Sequence, residues 1–413
     1  MIKSHNYLNE KFINDNKEYN IDKISKINFP RILPFNYDEI NDTSKVVCEC
    51  VNDYGSIFGH LYINHAFLLF VSALDEDKRK FGNQKKYKNL KDEDFYLYSF
   101  FLEERRKDKN KYIIMYYSEI KEVVIRRFCF NYIGYEFFMK NNKSYLFNFF
   151  NDKNRKELIF IIIKKLESVK KEFNKNNNSS NYSIVKNINN NNGNLTITLE
   201  EKGEEINFNI IKDLVQYFKE CNFNAKYIKG ELNNFKYLLL LNKYSARSYN
   251  DLFQYLIFPL LYLDNSRTTL RDLSKAIALN KNSDRYEQTL INVQNNYENF
   301  GCHFNYHYST SGHILYYLVR MNPFTNIHLK FQSNKFDIPK RMFYSMDNYF
   351  KAIGFSEENR ELVPEFFHNY ELFLNLNYSN LGYLYEENVS INDLETFDKN
   401  GIIEMIINLR QLW

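Results

Sequence analysis

Apolar residues alternate with polar ones along much of residues 48–150, and this pattern predicts a series of β-strands. In the segment IFGHLYI, Ile57, Gly59, Leu61 and Ile63 fall on one face, as expected for a strand with one buried side. The run AFLLFV follows directly, and EIKEVVIRRFCF, GYEFFM and SYLFNFF continue the series. Residues 141–143 (Asn-Asn-Lys) predict a hairpin turn between the last two strands.

A single amphipathic helix is predicted to close this unit. Its apolar residues recur at steps of three or four and would form one stripe; they are Leu158, Ile162, Leu166, Val169 and Phe173. Several antiparallel strands followed by one C-terminal helix are typical of a pleckstrin-homology-like (PH-like) barrel. The charged stretch from Asp75 to Lys111 would be a loop inserted into it.

Changes in polarity divide the chain further. Residues 1–42 are polar and weakly patterned, which predicts an N-terminal arm, and residues 43–173 hold the barrel and its helix. Residues 174–226 are predicted to be an Asn-rich linker, because the stretch KNNNSSNYSIVKNINNNNGN has too few apolar residues to fold alone. Residues 195–225 of it could add a strand pair and a short helix. Residues 227–413 are rich in aromatics and predict one mainly helical domain.

The composition, net charge and cysteine spacing limit the classes of function that the chain could have. Of 413 residues, 44% are hydrophobic and 26% charged, which is typical of a globular protein. The net charge of +4 is small, and the sequence has no dense basic stripe. A nucleic-acid partner is therefore not indicated. The polar start predicts no signal peptide, and no apolar run reaches the ~18 residues of a membrane span. The five cysteines lack zinc-site spacings, so we expect reduced thiols and a cytoplasmic protein.

The second half resembles the BEACH family. The block NNFKYLLLLNKYSARSYNDLFQYLIFPL carries the clearest likeness, over residues 233–260. Further similar blocks follow in the family's order: LRDLSKAI, CHFNYHYSTS, YLVRMNPFT, NKFDIPKRMFYS and ELVPEFF. The chain stops at NLRQLW, before the family's closing tryptophan-containing helix, so this domain is predicted to be short at its C-terminus.

The first half resembles the PH-like module that precedes BEACH domains. The likeness lies in the pair Arg126–Arg127, the strand around Glu136 and the segment Phe147–Phe149. The resemblance implies an α+β fold: a PH-like antiparallel β-barrel with a C-terminal helix, then a mainly α BEACH domain with extended core segments. It also implies a non-enzymatic scaffold in vesicle and membrane trafficking, without a cofactor. Its partners would be proteins, for instance trafficking or kinase-anchoring proteins.

The same resemblance implies a groove between the two domains. Polar residues set among aromatics have to be paired, because an unpaired buried charge is costly. They could therefore form an internal network, or a polar wall that faces the PH-like domain, or both. We expect Glu136 and Asn250 to meet at the contact. The residues predicted for the groove are Arg126, Arg127, Glu136, Arg247, Tyr249, Asn250 and Asp251.

The alternative function is a peripheral membrane adaptor. The basic run KRKFGNQKKYKNLK could bind anionic lipid headgroups, each Lys contributing about 1 kcal/mol near an acidic membrane. Acidic residues flank the run, and a solvent-exposed loop explains it equally. The residues predicted for lipid contact are Lys78, Arg79, Lys80, Lys85, Lys86 and Lys88.

Metal and hydrolase chemistry are weakly supported. His303 and His307 are four residues apart, but no HExxH or cysteine pair completes a metal site, so none is predicted. A hydrolase could use Ser274 or Ser309 with a His and an Asp, such as Asp272 or Asp337. It would need a strained nucleophile turn, and no GxSxG is present, so no catalytic residue is predicted.

Overall fold

The computed structural model describes residues 44–52, 55–72, 112–128, 131–173, 184–201, 204–262, 270–280, 286–301, 310–353, 360–384 and 389–392. These residues form two parts, which we call the sheet domain (residues 44–211) and the helical domain (residues 214–392). The predicted arm, residues 1–42, lies outside the described residues.

The described residues in the region of the predicted barrel form seven strands and one helix. The strands are β1 (Ser44–Asn52), β2 (Gly55–Ile63), β3 (Phe67–Ser72), β4 (Tyr112–Tyr116), β5 (Ile120–Phe128), β6 (Asn131–Met139) and β7 (Ser144–Asn148). The helix is α1 (Asp152–Phe173). The strands pair antiparallel in the order β4-β3-β2-β1-β7-β6-β5, so two meanders join through β1 and β7. The predicted strand series and closing helix are confirmed.

The alternation of apolar and polar residues places the apolar side chains of the strands on the buried face of the sheet. Leu61, Phe137 and Phe147 point inward and are fully buried, and Leu158 and Ile162 of α1 pack into the same core. Burial of one such side chain contributes about 1.5–3 kcal/mol. The β6–β7 hairpin turns at Asn142, whose φ of 65° is a left-handed conformation that asparagine tolerates.

The linker prediction is wrong for residues 184–211. Three further strands lie there, β8 (Ile184–Asn191), β9 (Asn194–Glu201) and β10 (Glu204–Ile211), and β10 pairs parallel with β5 to make one ten-stranded sheet. Leu195, Ile197 and Leu199 alternate with polar residues and are buried in the core, so the segment can gain enough apolar burial. The expected strand pair and short helix of residues 195–225 are therefore present. The domain boundaries themselves stay a prediction.

The helical domain consists of short helices around an aromatic core. The helices are α2 (Leu214–Glu220), α3 (Phe223–Ile228), α4 (Asn234–Tyr244), α5 (Tyr286–Phe300), α6 (Thr310–Tyr317), α7 (Phe324–Phe331), α8 (Met346–Ile353) and α9 (Glu365–His368). A two-stranded ribbon joins Tyr383–Leu384 to Val389–Ser390. Phe258, Tyr317 and Phe366 are almost completely buried at the centre.

Extended segments run through this core, as predicted. Phe258 pairs with Leu362 through two backbone hydrogen bonds of 2.8 and 3.0 Å, although neither belongs to a regular strand. The predicted α+β fold class is thus confirmed. Among the described helices, none is long and apolar enough to cross a membrane.

Candidate functional site at the border of the two domains

Helix α4 ends where the helical domain meets the sheet domain. Asn233 caps its N-terminus, because the side-chain oxygen accepts a hydrogen bond from the Lys236 amide at 2.8 Å. At the other end Ala246 adopts a left-handed φ of 64°, and the Arg247 amide bonds to the Asn242 carbonyl at 3.1 Å. This Schellman-type end turns the chain sharply, and Ser248, Asn250 and Gln254, which follow it, form hydrogen bonds with the sheet domain.

Two consecutive arginines of β5 bind the C-terminal carbonyls of α4. Arg126 Nη1 donates to the Lys243 carbonyl at 2.6 Å, and Arg127 Nη2 donates to the Ser245 carbonyl at 3.5 Å. Adjacent residues on a regular strand point to opposite faces, but the β5–β6 register shifts between Arg126 and Phe128, which re-aims the side chains. Cations at a helix C-terminus also complement its partial negative charge.

Glu136 on β6 joins the two domains. Its carboxylate accepts from Arg126 Nε at 2.6 Å, from Ser248 Oγ at 2.8 Å and from Asn250 Nδ2 at 2.9 Å. The Asn250 amide also donates to Ser144 Oγ at 2.9 Å. The side chains of Arg126 and Glu136 are each 1% exposed, so the charges are paired inside the protein rather than in water. Glu136 and Asn250 therefore lie in contact at the domain border.

A second ion pair lies beside the first. Lys243 Nζ pairs with Glu122 of β5, and the Tyr244 hydroxyl donates to the same carboxylate at 3.2 Å. The Lys243 ammonium also lies 3.7 Å from the centre of the Phe138 ring. Burial lowers the pKa of Lys243, while the charge of Glu122 acts in the opposite direction. The ammonium is thus held by a carboxylate and an aromatic face together.

Apolar contacts complete the border. Tyr244 and Ala246, at the end of α4, are buried in the same core as the sheet domain. The Tyr244 ring stacks on Phe223 with 5.6 Å between centroids and meets Phe218 edge-on at 6.0 Å. The two domains share one hydrophobic core at this place, so the polar network is enclosed rather than exposed to solvent.

Three of the predicted groove residues, Arg247, Tyr249 and Asp251, form hydrogen bonds or ring contacts within the helical domain, and their place in a groove stays a prediction. Arg247 Nη1 donates to the Tyr255 carbonyl at 2.8 Å, and the ring of Tyr249 lies edge-on to that of Tyr255. Asp251 accepts from the Phe253 amide at 2.9 Å and from the Gln254 side chain at 3.0 Å. Burial raises the pKa of Asp251, and the hydrogen bond from Gln254 opposes that shift. Asp251 shapes the turn that carries Asn250.

The other sequence candidates fall elsewhere. Lys78, Arg79, Lys80, Lys85, Lys86 and Lys88 lie outside the described residues, as do His303, His307 and Ser309. Ser274 donates to Asp272 at 2.6 Å within one exposed turn. Arg271 forms a two-pronged pair with Glu361, at 2.8 and 2.7 Å, inside the helical domain.

The predicted set did not include six polar residues that form hydrogen bonds across the border: Glu122, Ser144, Lys243, Tyr244, Ser248 and Gln254. Gln254 Nε2 donates to the Arg127 carbonyl at 2.8 Å and so adds a contact between the domains. One signal was available, since Glu122 and Arg126 occupy the same face of a strand that is otherwise apolar there. Opposite charges at such positions indicate partners from outside the strand.

Comparison with known proteins gives two family matches. The family described as "Beige/BEACH domain" matches residues 225–411. The family described as "PH domain associated with Beige/BEACH" matches residues 48–163. The two matches cover the seven-stranded part of the sheet domain from residue 48, about half of α1, and the helical domain from residue 225.

Individual proteins are similar over the same region. The human lysosomal-trafficking regulator is 35% identical over 190 residues, which are 40% of this chain and 5% of that protein. BEACH domain-containing protein B of Arabidopsis thaliana is 29% identical over 281 residues, 64% of this chain and 10% of the relative. BEACH domain-containing protein lvsD of Dictyostelium discoideum is 32% identical over 280 residues, 63% of this chain and 9% of the relative. The aligned part is thus a small share of each relative.

Proposed function

Because this chain belongs to the BEACH-domain family and carries the PH domain associated with it, we propose that it is a non-enzymatic scaffold in membrane trafficking. The human relative is named for lysosomal trafficking, which supports this cellular role. In this proposal the chain works in the cytoplasm, associates peripherally with intracellular membranes and binds partner proteins.

The docking of the two domains carries the proposal. Glu136 accepts hydrogen bonds from its own domain through Arg126 and from the helical domain through Ser248 and Asn250. Lys243 of α4 and Glu122 of β5 form a largely buried ion pair across the border, and breaking such a pair by removing one partner costs about 3–5 kcal/mol. A border held at that strength keeps two surfaces in a fixed relation, and a fixed surface is suited to recognising a segment of a partner protein.

The proposed mechanism is recognition at the domain border. A partner segment would lie along the groove between the sheet and helical domains and contact residues from both. Binding would then depend on the docking itself, because neither half alone presents the whole surface.

Capture experiments with a matched pair of variants test the function. The immobilised wild-type chain is incubated with cell extract, and Asn250→Lys, which places a cation at Glu136 and Ser144, is compared with Asn295→Lys on the exposed side of α5. We expect a saturable protein partner to bind wild type and Asn295→Lys, and to be lost with Asn250→Lys. A wild-type chain that captures no specific protein would overturn the proposal.

A further inference from the structure

Two arginines at the domain border have no carboxylate partner among the residues that the structure describes. Arg127 makes one side-chain hydrogen bond, the 3.5 Å contact with the Ser245 carbonyl, and Arg247 makes one, the 2.8 Å contact with the Tyr255 carbonyl. Neither forms an ion pair with any acidic residue in the described part of the chain. Both side chains are half-buried, so each guanidinium keeps unused donors at the border.

The neighbouring acids are already engaged. Glu136 is bound by Arg126, Ser248 and Asn250, and Asp251 is bound by the Phe253 amide and the Gln254 side chain. The two unpaired arginines are therefore not neutralised from within the described border. Their mutual proximity shows in the pKa of Arg247, which burial lowers and the charge of Arg127 lowers further.

Exposed aromatic rings flank these arginines. Tyr132 is 49% exposed and lies under Arg127, with 5.7 Å from the guanidinium carbon to the ring centre. Phe253 is 53% exposed and precedes Gln254, whose amide binds the Arg127 carbonyl. Tyr249 is 38% exposed and shares Tyr255 as a contact with Arg247. We use the name arginine rim for five residues: Arg127, Tyr132, Arg247, Tyr249 and Phe253.

We propose that the arginine rim binds an acidic peptide segment of a partner protein, with its carboxylates on Arg127 and Arg247 and an apolar side chain against the rings. This inference rests on the proposed function and names the chemistry of the partner. A guanidinium presents a planar pair of donors that matches a carboxylate, and aromatic residues with arginine are the types enriched in protein interfaces.

A peptide fits the rim better than a membrane does. Binding to anionic membranes generally uses clusters of four to eight exposed Lys or Arg. Here two cations are half-buried, while Arg126 and Lys243 are already paired with Glu136 and Glu122. Two half-buried cations are fewer than a bilayer surface needs, whereas two carboxylates of a peptide can pair with them.

Fluorescence anisotropy with a labelled random copolymer of glutamate and tyrosine tests the assignment. The full chain carrying Arg127→Gln and Arg247→Gln is compared with one carrying Lys121→Gln and Lys164→Gln, which removes the same charge from exposed positions. We expect the rim variant to weaken binding at least about fivefold and the control to bind like wild type. Circular dichroism and the thermal unfolding midpoint are measured for both variants, to check that each is folded.

Two further arms separate the outcomes. A copolymer of lysine and tyrosine should not bind to the wild-type chain. Phosphatidylserine vesicles should bind the rim variant and the wild-type chain equally. No binding of the acidic copolymer, equal binding by all variants, or a loss confined to the vesicles would overturn the assignment. If the wild-type chain still captures a partner that the rim variant also binds, the scaffold function stands and only the rim assignment fails.

Discussion

Nε of Arg126 lies 2.6 Å from Oε2 of Glu136 on the neighbouring strand, and both side chains are 1% exposed. Arg126 also donates to the last turn of α4, and Glu136 accepts from two residues that follow this helix. One ion pair within the sheet domain thus provides the acceptor and the donor that hold the helical domain.

Reversing the charge of Glu136 should loosen the border without unfolding either domain. Glu136→Arg places a second guanidinium beside Arg126 and removes the acceptor of Ser248 and Asn250. We expect a loss of at least about 3 kcal/mol in the free energy of unfolding in urea. Amide exchange should accelerate in residues 243–254 while the far-ultraviolet circular dichroism is retained.

Glu205→Arg provides the control for this change. Glu205 pairs with Lys186 on the exposed side of the sheet, so the same charge reversal there should leave urea stability nearly unchanged. Equal losses for the two variants would show that the buried pair has no special role.

The contact between Asn250 and Ser144 should appear as energetic coupling. Asn250→Ala and Ser144→Ala each remove the 2.9 Å bond between them, and Asn250→Ala also removes the bond to Glu136. We expect a loss of about 1 kcal/mol or more for each, and a double variant less destabilised than the sum by about 0.5 kcal/mol. Thr196→Ala, whose hydroxyl bonds Asn209, should instead add to Asn250→Ala without coupling.

Arg320 should not be replaceable by lysine. Its guanidinium donates to three backbone carbonyls, those of Phe343 at 2.6 Å, Ile391 at 2.6 Å and Asn392 at 3.2 Å. A lysine cannot reproduce this planar fork, so Arg320→Lys should cost about 2–4 kcal/mol of stability in thermal or urea unfolding. Arg341→Lys, at a side chain 59% exposed, should have little effect; a similar loss there would contradict the argument.

His60 should make stability fall in mild acid. The ring is fully buried in β2, and neither nitrogen has a hydrogen-bond partner in the described part of the chain. Burial, with a smaller contribution from the Lys45 charge, lowers the pKa of His60 from 6.5 to about 4. Between these values the unfolded chain binds more protons than the folded one. The stability contributed by the neutral ring is therefore complete above pH 6.5 and is lost as pH falls towards 4.

The size of this effect follows from the shift. A difference of about 2.5 pKa units corresponds to roughly 3 kcal/mol between pH 6.5 and 4. His60→Leu should remove that part of the pH dependence when urea unfolding is measured across the range. If the variant and wild type lose stability in parallel, His60 does not titrate as described.

Much of the fold was predictable from local patterns. Period-two alternation located strands in the part of the sheet domain that precedes α1, and the stripe through Leu158, Ile162 and Leu166 located α1. The blocks that resemble the BEACH family led to the second domain. A signal was overlooked in the Asn-rich segment: Asn192 and Gly193 have φ of 49° and 86°, and an Asn-Gly pair between strands is a strong hairpin indicator. The alternation of Leu195, Ile197 and Leu199 with polar residues also indicated a strand in this segment.

By itself the sequence determined the elements and the two-domain order, because strand and helix periodicity depend on neighbours in the chain. Resemblance to a family suggested the meeting of Glu136 and Asn250. Only the tertiary structure decided that β10 pairs in parallel with β5, that Lys243 pairs with Glu122, and that no carboxylate of the described residues pairs with Arg127 or Arg247. These pairs involve residues up to 121 positions apart in the chain. Which charges come together depends on the fold of the whole chain, because local sequence patterns carry no information about such distant partners.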